Sequence, residues 1–593
     1  MMQLFPQPRD LEMLPGTCHV PGGFGACDLL TFFRLVRSGN EVRVGWNTVP
    51  GREEYEMEIG EDGITLRVSG EESLFRAVTS LHQLIRRFGE EIPCMRVKDR
   101  PAFARRGYML DISRGRKPRM ETLRTMIDYL VSLKYNELQL YMEGDCFKYA
   151  AYPEETKDFD CLTPEDILEL DRYCRERFMD LVPNQNSFGH MYTWLKKPAF
   201  RHLGLYGSET EVPSTLNPTL PESFDFMCSL YRSLLPYFSS EYVNIGLDEA
   251  YGLGKYQIEE YCREKGKDQV FLEWLNKLSG HITEQYGKKI MLWADMIYDY
   301  PSIYKQLPEG AIALEWGYEL IQSQRMTAHC IAYRDAGIRY YVCPSVNTHD
   351  SLSGRMDVTT FNIRTCGELG EAYGAEGLLL TDWGSTGHPQ SWVWSMNPIA
   401  LGGQYAWNTG ARQDGETFKA DFIRSAEQYV DEYFFRKVPL SRLLYRMANY
   451  YLLEPERVHV CTMCAKEMLL PMNETRFVHL FDLKDSGDDF YFDNVTAYVR
   501  KIMADIEHLS FDEEWKREIR LTAKLIELGS GICRVKLHPD TSASEALELA
   551  GAIDGILPEF EETWKKRNYE KGVERFTEHL RARQKEMREL AKA

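Results

Sequence analysis

The chain has 593 residues, of which 44% are hydrophobic and 27% charged, and its net charge is −19 at neutral pH. That length exceeds one hydrophobic core and implies two to four domains. The acidic balance argues against a nucleic-acid or anionic-membrane surface and suits an enzyme with a neutral substrate. No apolar run reaches the ~18 residues of a membrane span. Residues 1–14 (MMQLFPQPRDLEML) carry neither a basic nor an apolar leader region, so no signal peptide is expected. The 14 cysteines are scattered, with Cys461 and Cys464 the only CxxC pair. A zinc site needs a second pair nearby, so no metal is expected, and the pattern suits a reducing cytoplasm. The chain is 12% aromatic; aromatic rings stack on sugars, but abundance alone favours core packing.

Residues 1–100 contain strand-like runs at Glu41–Val49 and Gly63–Val68, then a helix over Glu71–Phe88. In that helix Leu74, Val78, Leu81, Leu84 and Ile85 fall at helical spacing, so the region reads as a small α+β domain. From 101 to 408 strands alternate with helices. The strands are expected at Tyr108–Ile112, Glu137–Tyr141, Leu181–Pro183, Tyr242–Gly246, Lys289–Trp293, Ala311–Trp316, Arg339–Val342 and Gly377–Thr381. Eight βα units in about 300 residues match a (β/α)8 TIM barrel; a doubly wound open sheet is the runner-up. From 409 to 593 the strand signal fades into amphipathic stretches at Gly415–Phe435, Asp493–Leu509, Phe511–Leu528 and Glu559–Lys592, an α-helical domain. Its charge runs read as solvated helix faces, with a homodimer surface as a further expectation.

A parallel barrel places its chemistry at the carboxyl ends of its strands. Each expected end is chemically loaded: Asp111 and Arg114, Glu143 and Asp145, the run Asn184–His190, Asp248 and Glu249, Trp293 and Asp295, Trp316 and Tyr318, Asn347 and His349, then Asp382, Trp383 and His388. Taken singly, each has an ordinary structural role: an ion pair, a buried histidine, a packed tryptophan, a helix cap. Their joint placement carries the argument. Asp248 and Glu249 are adjacent, and strand neighbours face opposite sides. Both can face one cavity only where the strand has ended. Two carboxyls there suit hydrolysis, one acting as general acid and one stabilising positive charge.

At these residues the chain resembles the glycoside hydrolase family 20 β-N-acetylhexosaminidases. Tyr108–Arg114 resembles the family's first-strand motif, Pro183 with Gly189 and His190 its third-strand motif, and Asn244–Glu249 its catalytic motif. Trp293, Trp316 and Trp383 match the three pocket tryptophans, and residues 63–84 are similar to the small domain before the barrel. The resemblance covers about residues 50–408 and is closest to bacterial exo-N-acetylglucosaminidases with a helical C-terminal domain. Departures are Asn244 and Leu247 in the catalytic motif, Asn184 and Asn186 in place of carboxylates, and Ser385 where a strand-eight carboxylate often stands.

The resemblance implies substrate-assisted, retaining exo-hydrolysis of terminal β-GlcNAc or β-GalNAc, with no cofactor. Glu249 would be the acid and base, with its pKa raised by an apolar pocket and the charge on Asp248. Asp248 would hold the acetamide N–H and stabilise the oxazolinium. Arg114 and Asp382 would grip hydroxyls, with His190 and His388 beside the sugar and Tyr318 at the acetamide oxygen. Two alternatives stay open: a retaining glycosidase with a carboxylate nucleophile, and a non-catalytic carbohydrate-binding barrel.

Overall fold

The computed structural model describes residues 4–21, 27–39, 41–208, 210–410, 415–476, 490–538 and 542–592. It begins with a five-stranded sheet of β1 (Asp10–His19), β2 (Val42–Trp46), β3 (Tyr55–Gly60), β4 (Gly63–Val68) and β5 (Glu91–Asp99), in the order β1-β5-β3-β4-β2. Strands β3 and β4 alternate buried and half-buried residues, the period of a sheet packed on one face. That face is covered by helix Glu71–Phe88, whose Leu74, Val78, Leu81 and Leu84 are fully buried. Three strands and one helix here, β1, β3, β5 and Leu29–Arg37, have no counterpart in the sequence reading. Polar residues interleave β1, which is largely exposed along its length.

Eight parallel strands follow: β6 (Arg105–Asp111), β7 (Glu137–Tyr141), β8 (Asp180–Pro183), β9 (Tyr242–Asn244), β10 (Lys289–Trp293), β11 (Ile312–Trp316), β12 (Arg339–Cys343) and β13 (Gly377–Asp382). They fall in the order β8-β7-β6-β13-β12-β11-β10-β9, and an Asn184–Asn244 bridge joins the two ends. The fold is therefore a TIM barrel. Its strands are buried on both faces, and β10 (KIMLW) and β13 (GLLLTD) read as largely apolar runs for that reason. β6 starts three residues before the expected Tyr108, and β9 stops at Asn244 rather than Gly246.

Beyond the barrel come the helices Gly415–Tyr433, Phe490–Glu507, Glu513–Leu537, Ala543–Arg567 and Glu574–Leu590. The last charged stretch is thus two helices, with Gly572 at a φ of 112° in the break between them. These helices are not merely solvated: Trp515, Ile519, Ile526, Phe560, Phe576 and Leu580 are buried in the common core.

The small domain is locked to the barrel by ions withdrawn from water. Glu53 accepts from Arg76 Nε at 2.7 Å and Arg106 Nη1 at 2.8 Å, and all three residues are at most 5% exposed. Burial alone would raise the Glu53 pKa, but the two guanidinium groups outweigh it and hold the carboxyl at about 2. Beside them Asp99 accepts from Tyr55 Oη (2.8 Å), Lys134 Nζ (2.9 Å) and Trp407 Nε1 (2.9 Å), joining β3 and β5 to the first and last helices of the barrel. Replacing Glu53 with Ala strands two buried cations and should cost about 3–5 kcal/mol in urea unfolding. A loss below about 1 kcal/mol would show the cluster to be dispensable.

Candidate active site

A single barrel end gathers the candidate residues because β9 stops early. After Asn244 the chain turns through Gly246 (φ 71°), Leu247 (73°) and Glu249 (46°). Left-handed backbone is costly for non-glycine residues and persists only where surroundings impose it. Here Gly246 N–H donates to Asn244 Oδ1 (3.0 Å), Trp293 N–H to Gly246 O (3.0 Å) and Glu249 N–H to Asp295 Oδ2 (3.0 Å). The loop after β8 seats directly on this turn: a Cβ on Gly189 would lie 2.2 Å from the Asp248 carbonyl oxygen. The turn puts both carboxylates toward one pocket of about 1060 Å³, at the upper end of small-molecule sites.

His190 bridges the pair, with Nε2 3.2 Å from Asp248 Oδ2 and 3.3 Å from Glu249 Oε2, while Nδ1 is 3.8 Å from Glu143. Burial disfavours the imidazolium, but Asp248, Glu249 and Glu143 outweigh it and lift the His190 pKa to about 10. The hydrogen bond from His190 in turn lowers the pKa of Glu249. This corrects the expectation of a raised Glu249: the adjacent Asp248 charge is offset by a cation the sequence did not reveal. The neutral-range acid is instead Asp295, which burial and the charge on Asp248 push up to about 7.

Aromatic rings form the walls. Trp293 is fully buried and lies 5.5 Å from Trp383 at 48°, and Trp316 stacks on Tyr318 at 5.3 Å. Trp383 Nε1 donates to Tyr318 Oη at 2.7 Å, leaving the phenol proton free for another acceptor. Arg114 sits over the faces of Trp383 (5.5 Å) and Tyr141 (5.2 Å). It pairs with Asp111 and, at 2.8 Å, with Glu143. Asp248 Oδ1 and Trp293 Nε1 are buried with no hydrogen-bond partner. Among the described residues no three His, Cys, Asp or Glu side chains group as a metal set.

Eight of the expected residues line this pocket: Arg114, His190, Asp248, Glu249, Trp293, Trp316, Tyr318 and Trp383. Asp382 and His388 do not. Asp382 accepts from Tyr108 Oη (2.6 Å) and Thr348 Oγ1 (3.1 Å) behind the wall, so it cannot grip a sugar hydroxyl. His388 is 3% exposed; burial and Arg116 push its pKa down to about 3, so it is a neutral packing group. The sequence reading passed over Val460, Arg575, Glu578 and His579, which line the pocket from the C-terminal region. The one local hint was Gly572 inside a charged helical pattern.

Family models carry the same assignment. The catalytic-domain model of glycosyl hydrolase family 20 matches residues 103–345 and its domain 2 model residues 35–100, together more than half of the chain. The chain belongs to glycoside hydrolase family 20. The catalytic-domain match stops short of β13 and Trp383. Mouse beta-hexosaminidase subunit alpha is 27% identical over 218 residues, 33% of this chain and 40% of that protein. Beta-hexosaminidase of Vibrio furnissii is 23% identical over 273 residues, 40% of this chain and 43% of that one. The chain thus spans about two fifths of these relatives. Among solved structures, Flavobacterium johnsoniae chitobiase matches with TM-score 0.60 at 15% identity, covering 100% of this chain and 99% of that one. The Vibrio harveyi exo β-N-acetylglucosaminidase in complex with N-acetylglucosamine matches with TM-score 0.58 at 16% identity, covering 72% and 77%. At such identities the likeness is one of fold.

The His190 charge has a consequence for stability. Its pKa rises from 6.5 to about 10 on folding, so its stabilisation is complete below pH 6.5 and fades as pH climbs to 10. His190→Asn should melt well below wild type at pH 6 and approach it near pH 10. A constant gap across that range would mean that His190 carries no charge.

Proposed function

We propose that this chain is an exo-acting, retaining β-N-acetylhexosaminidase that removes terminal β-GlcNAc or β-GalNAc by substrate-assisted hydrolysis. One observation carries the reading: Asp248 Oδ1 is a buried acceptor without a partner, beside Glu249 in a pocket walled by tryptophans. A buried carboxylate oxygen left unpaired is costly, and an amide N–H is the donor that satisfies it. The acetamide of the substrate supplies that N–H, and its carbonyl oxygen accepts from the Tyr318 hydroxyl.

The acetamide oxygen then attacks the anomeric carbon as the bond to the leaving oxygen breaks. Glu249 gives its proton to that oxygen and later takes one from the water that opens the oxazolinium. The hydrogen bond from His190 Nε2, 3.3 Å away, lowers the Glu249 pKa, and a sugar that covers Glu249 from water favours its protonated form. Asp248 stands against the developing cation. Trp293, Trp316 and Trp383 exclude water, which strengthens that electrostatic contact. None of the fourteen cysteines forms a disulfide, in keeping with the reducing cytoplasm expected from their scatter; short imported or recycled oligosaccharides are the substrates that setting would offer.

Release rates from aryl β-GlcNAc, aryl β-GalNAc and aryl β-glucoside, measured side by side, test the reading. Cleavage of the acetamido sugars alone is expected, with tight competitive inhibition by a thiazoline mimic of the oxazoline. Comparable glucoside cleavage would instead favour a carboxylate nucleophile. Glu249→Gln should lower kcat roughly 10²–10⁴-fold for poor leaving groups and far less for activated aryl ones; equal losses on both would remove it as the acid. Asp248→Asn should lower kcat while leaving substrate binding measurable, and near-normal turnover would refute its role.

A further inference from the structure

Two polar side chains in the pocket wall have nothing in the protein to bind. Glu578 and His579 line the pocket from helix Glu574–Leu590, and among the described residues neither takes part in a hydrogen bond or ion pair. Two arginines on that side are engaged, while Lys196, also in the lining, has among the described residues only the Tyr192 ring, 5.6 Å away. Arg575, three and four positions earlier on the same helix face, donates to Ser113 O (3.0 Å) and pairs with Asp145 (2.5 Å). Arg114 is held by Asp111 and Glu143.

The helix is also fixed in place by backbone contact. A Cβ on Gly572 would lie 2.1 Å from Gly115 O, and one on Gly387 would lie 2.7 Å from Phe576 Cα. Ser113 and Gly115 follow β6, Asp145 follows β7 and Gly387 follows β13. The first helical turn therefore rests on the loops after barrel strands eight, one and two. Asp248, Trp293 and Tyr318 follow strands four, five and six, across the barrel mouth.

We propose that Glu578 and His579 are substrate-contacting residues that hydrogen-bond the C4 and C6 hydroxyls of the terminal sugar, making the C-terminal helix the specificity-determining wall of the pocket. The proposal rests on the hexosaminidase reading. In a pyranose the C4 and C6 groups lie at the edge away from C1 and C2. With C1 at Glu249 and the C2 acetamide at Asp248 and Tyr318, that far edge faces the helix. A carboxylate accepts from two hydroxyls, and an imidazole accepts or donates. The same helix bars a further sugar beyond C4, which gives exo-action.

The test compares wild type with Glu578→Ala, Glu578→Gln and His579→Ala on aryl β-GlcNAc, its C4 epimer aryl β-GalNAc, and aryl 6-deoxy-β-GlcNAc. Loss of one charged hydrogen bond should raise KM for β-GlcNAc about tenfold with kcat little changed, as for uniform binding. The effect should shrink on the substrate lacking the contacted hydroxyl. Unchanged KM ratios across the three substrates in every variant would overturn the proposal. Titration of tryptophan fluorescence with free GlcNAc and 6-deoxy-GlcNAc reads the same contact without turnover. Wild type should discriminate between the two sugars and the variants should not; equal discrimination in all would overturn it. Wild type that discriminates in binding yet cleaves no acetamido sugar would sink the hydrolase reading and leave the wall standing.

Discussion

The site depends on how the barrel closes. Seven of its strand junctions are regular parallel ladders, but β8 and β9 meet at the single Asn184–Asn244 bridge. Two further hydrogen bonds complete that seam: backbone Gln185 N–H donates to Asn244 O at 2.9 Å, and Asn244 Nδ2 donates to Gln139 Oε1 at 3.0 Å. A buried backbone that lacks ladder partners must find others: Gly246 N–H, just past the strand, donates to Asn244 Oδ1 at 3.0 Å. Asn184 and Asn244 are two of the positions where the sequence departs from the motifs it resembles. Because β9 ends at this seam, the next residues are free to turn, and the loops after strands three and four come into contact. That contact sets His190 against Asp248 and Glu249.

The contact then sets the electrostatics. Three carboxyl groups, Asp248, Glu249 and Asp295, share one low-dielectric end of the barrel, where like charges cannot all ionise cheaply. The arrangement shifts two groups in opposite senses of charge: the carboxylates lift the His190 pKa to about 10, and burial with the charge on Asp248 pushes Asp295 up to about 7. The strained backbone at Leu247 and Glu249 is held by the Asp295 hydrogen bond and by Gly189, so geometry and charge are fixed by the same neighbours.

The C-terminal helices are joined to the same site. Arg575 pairs with Asp145 after β7, Lys466 pairs with Asp350 after β12 at 2.6 Å, and Val460 reaches the pocket itself. At the opposite end, the Glu53 and Asp99 clusters fasten the small domain to the barrel floor. Buried ion pairs are weak evidence of net stabilisation, but breaking one is costly. Such clusters therefore fix register between domains more than they add stability.

The sequence by itself determined the barrel and the acidic pair. Strands buried on both faces tend to be apolar runs, and β10 (KIMLW) coincides with its expected limits; β7 (ELQLY) does so too, although Glu137 and Gln139 interrupt it. A carboxylate doublet after such a run is equally visible. What the tertiary structure decided was direction, charge and wall. Neighbouring strand residues face opposite sides, so Trp383 enters the pocket while Asp382, one residue earlier, bonds Tyr108 behind it; proximity to a strand end could not separate them. The lowering of Glu249 depends on His190, which is 59 positions away in the chain. Glu578 and His579 sit in a stretch whose composition is that of any solvated helix. Their place over the pocket follows from Gly115, Gly387 and Gly572, where the absence of a Cβ lets two distant backbones touch. Periodicity records which residues are buried, but not which surfaces meet.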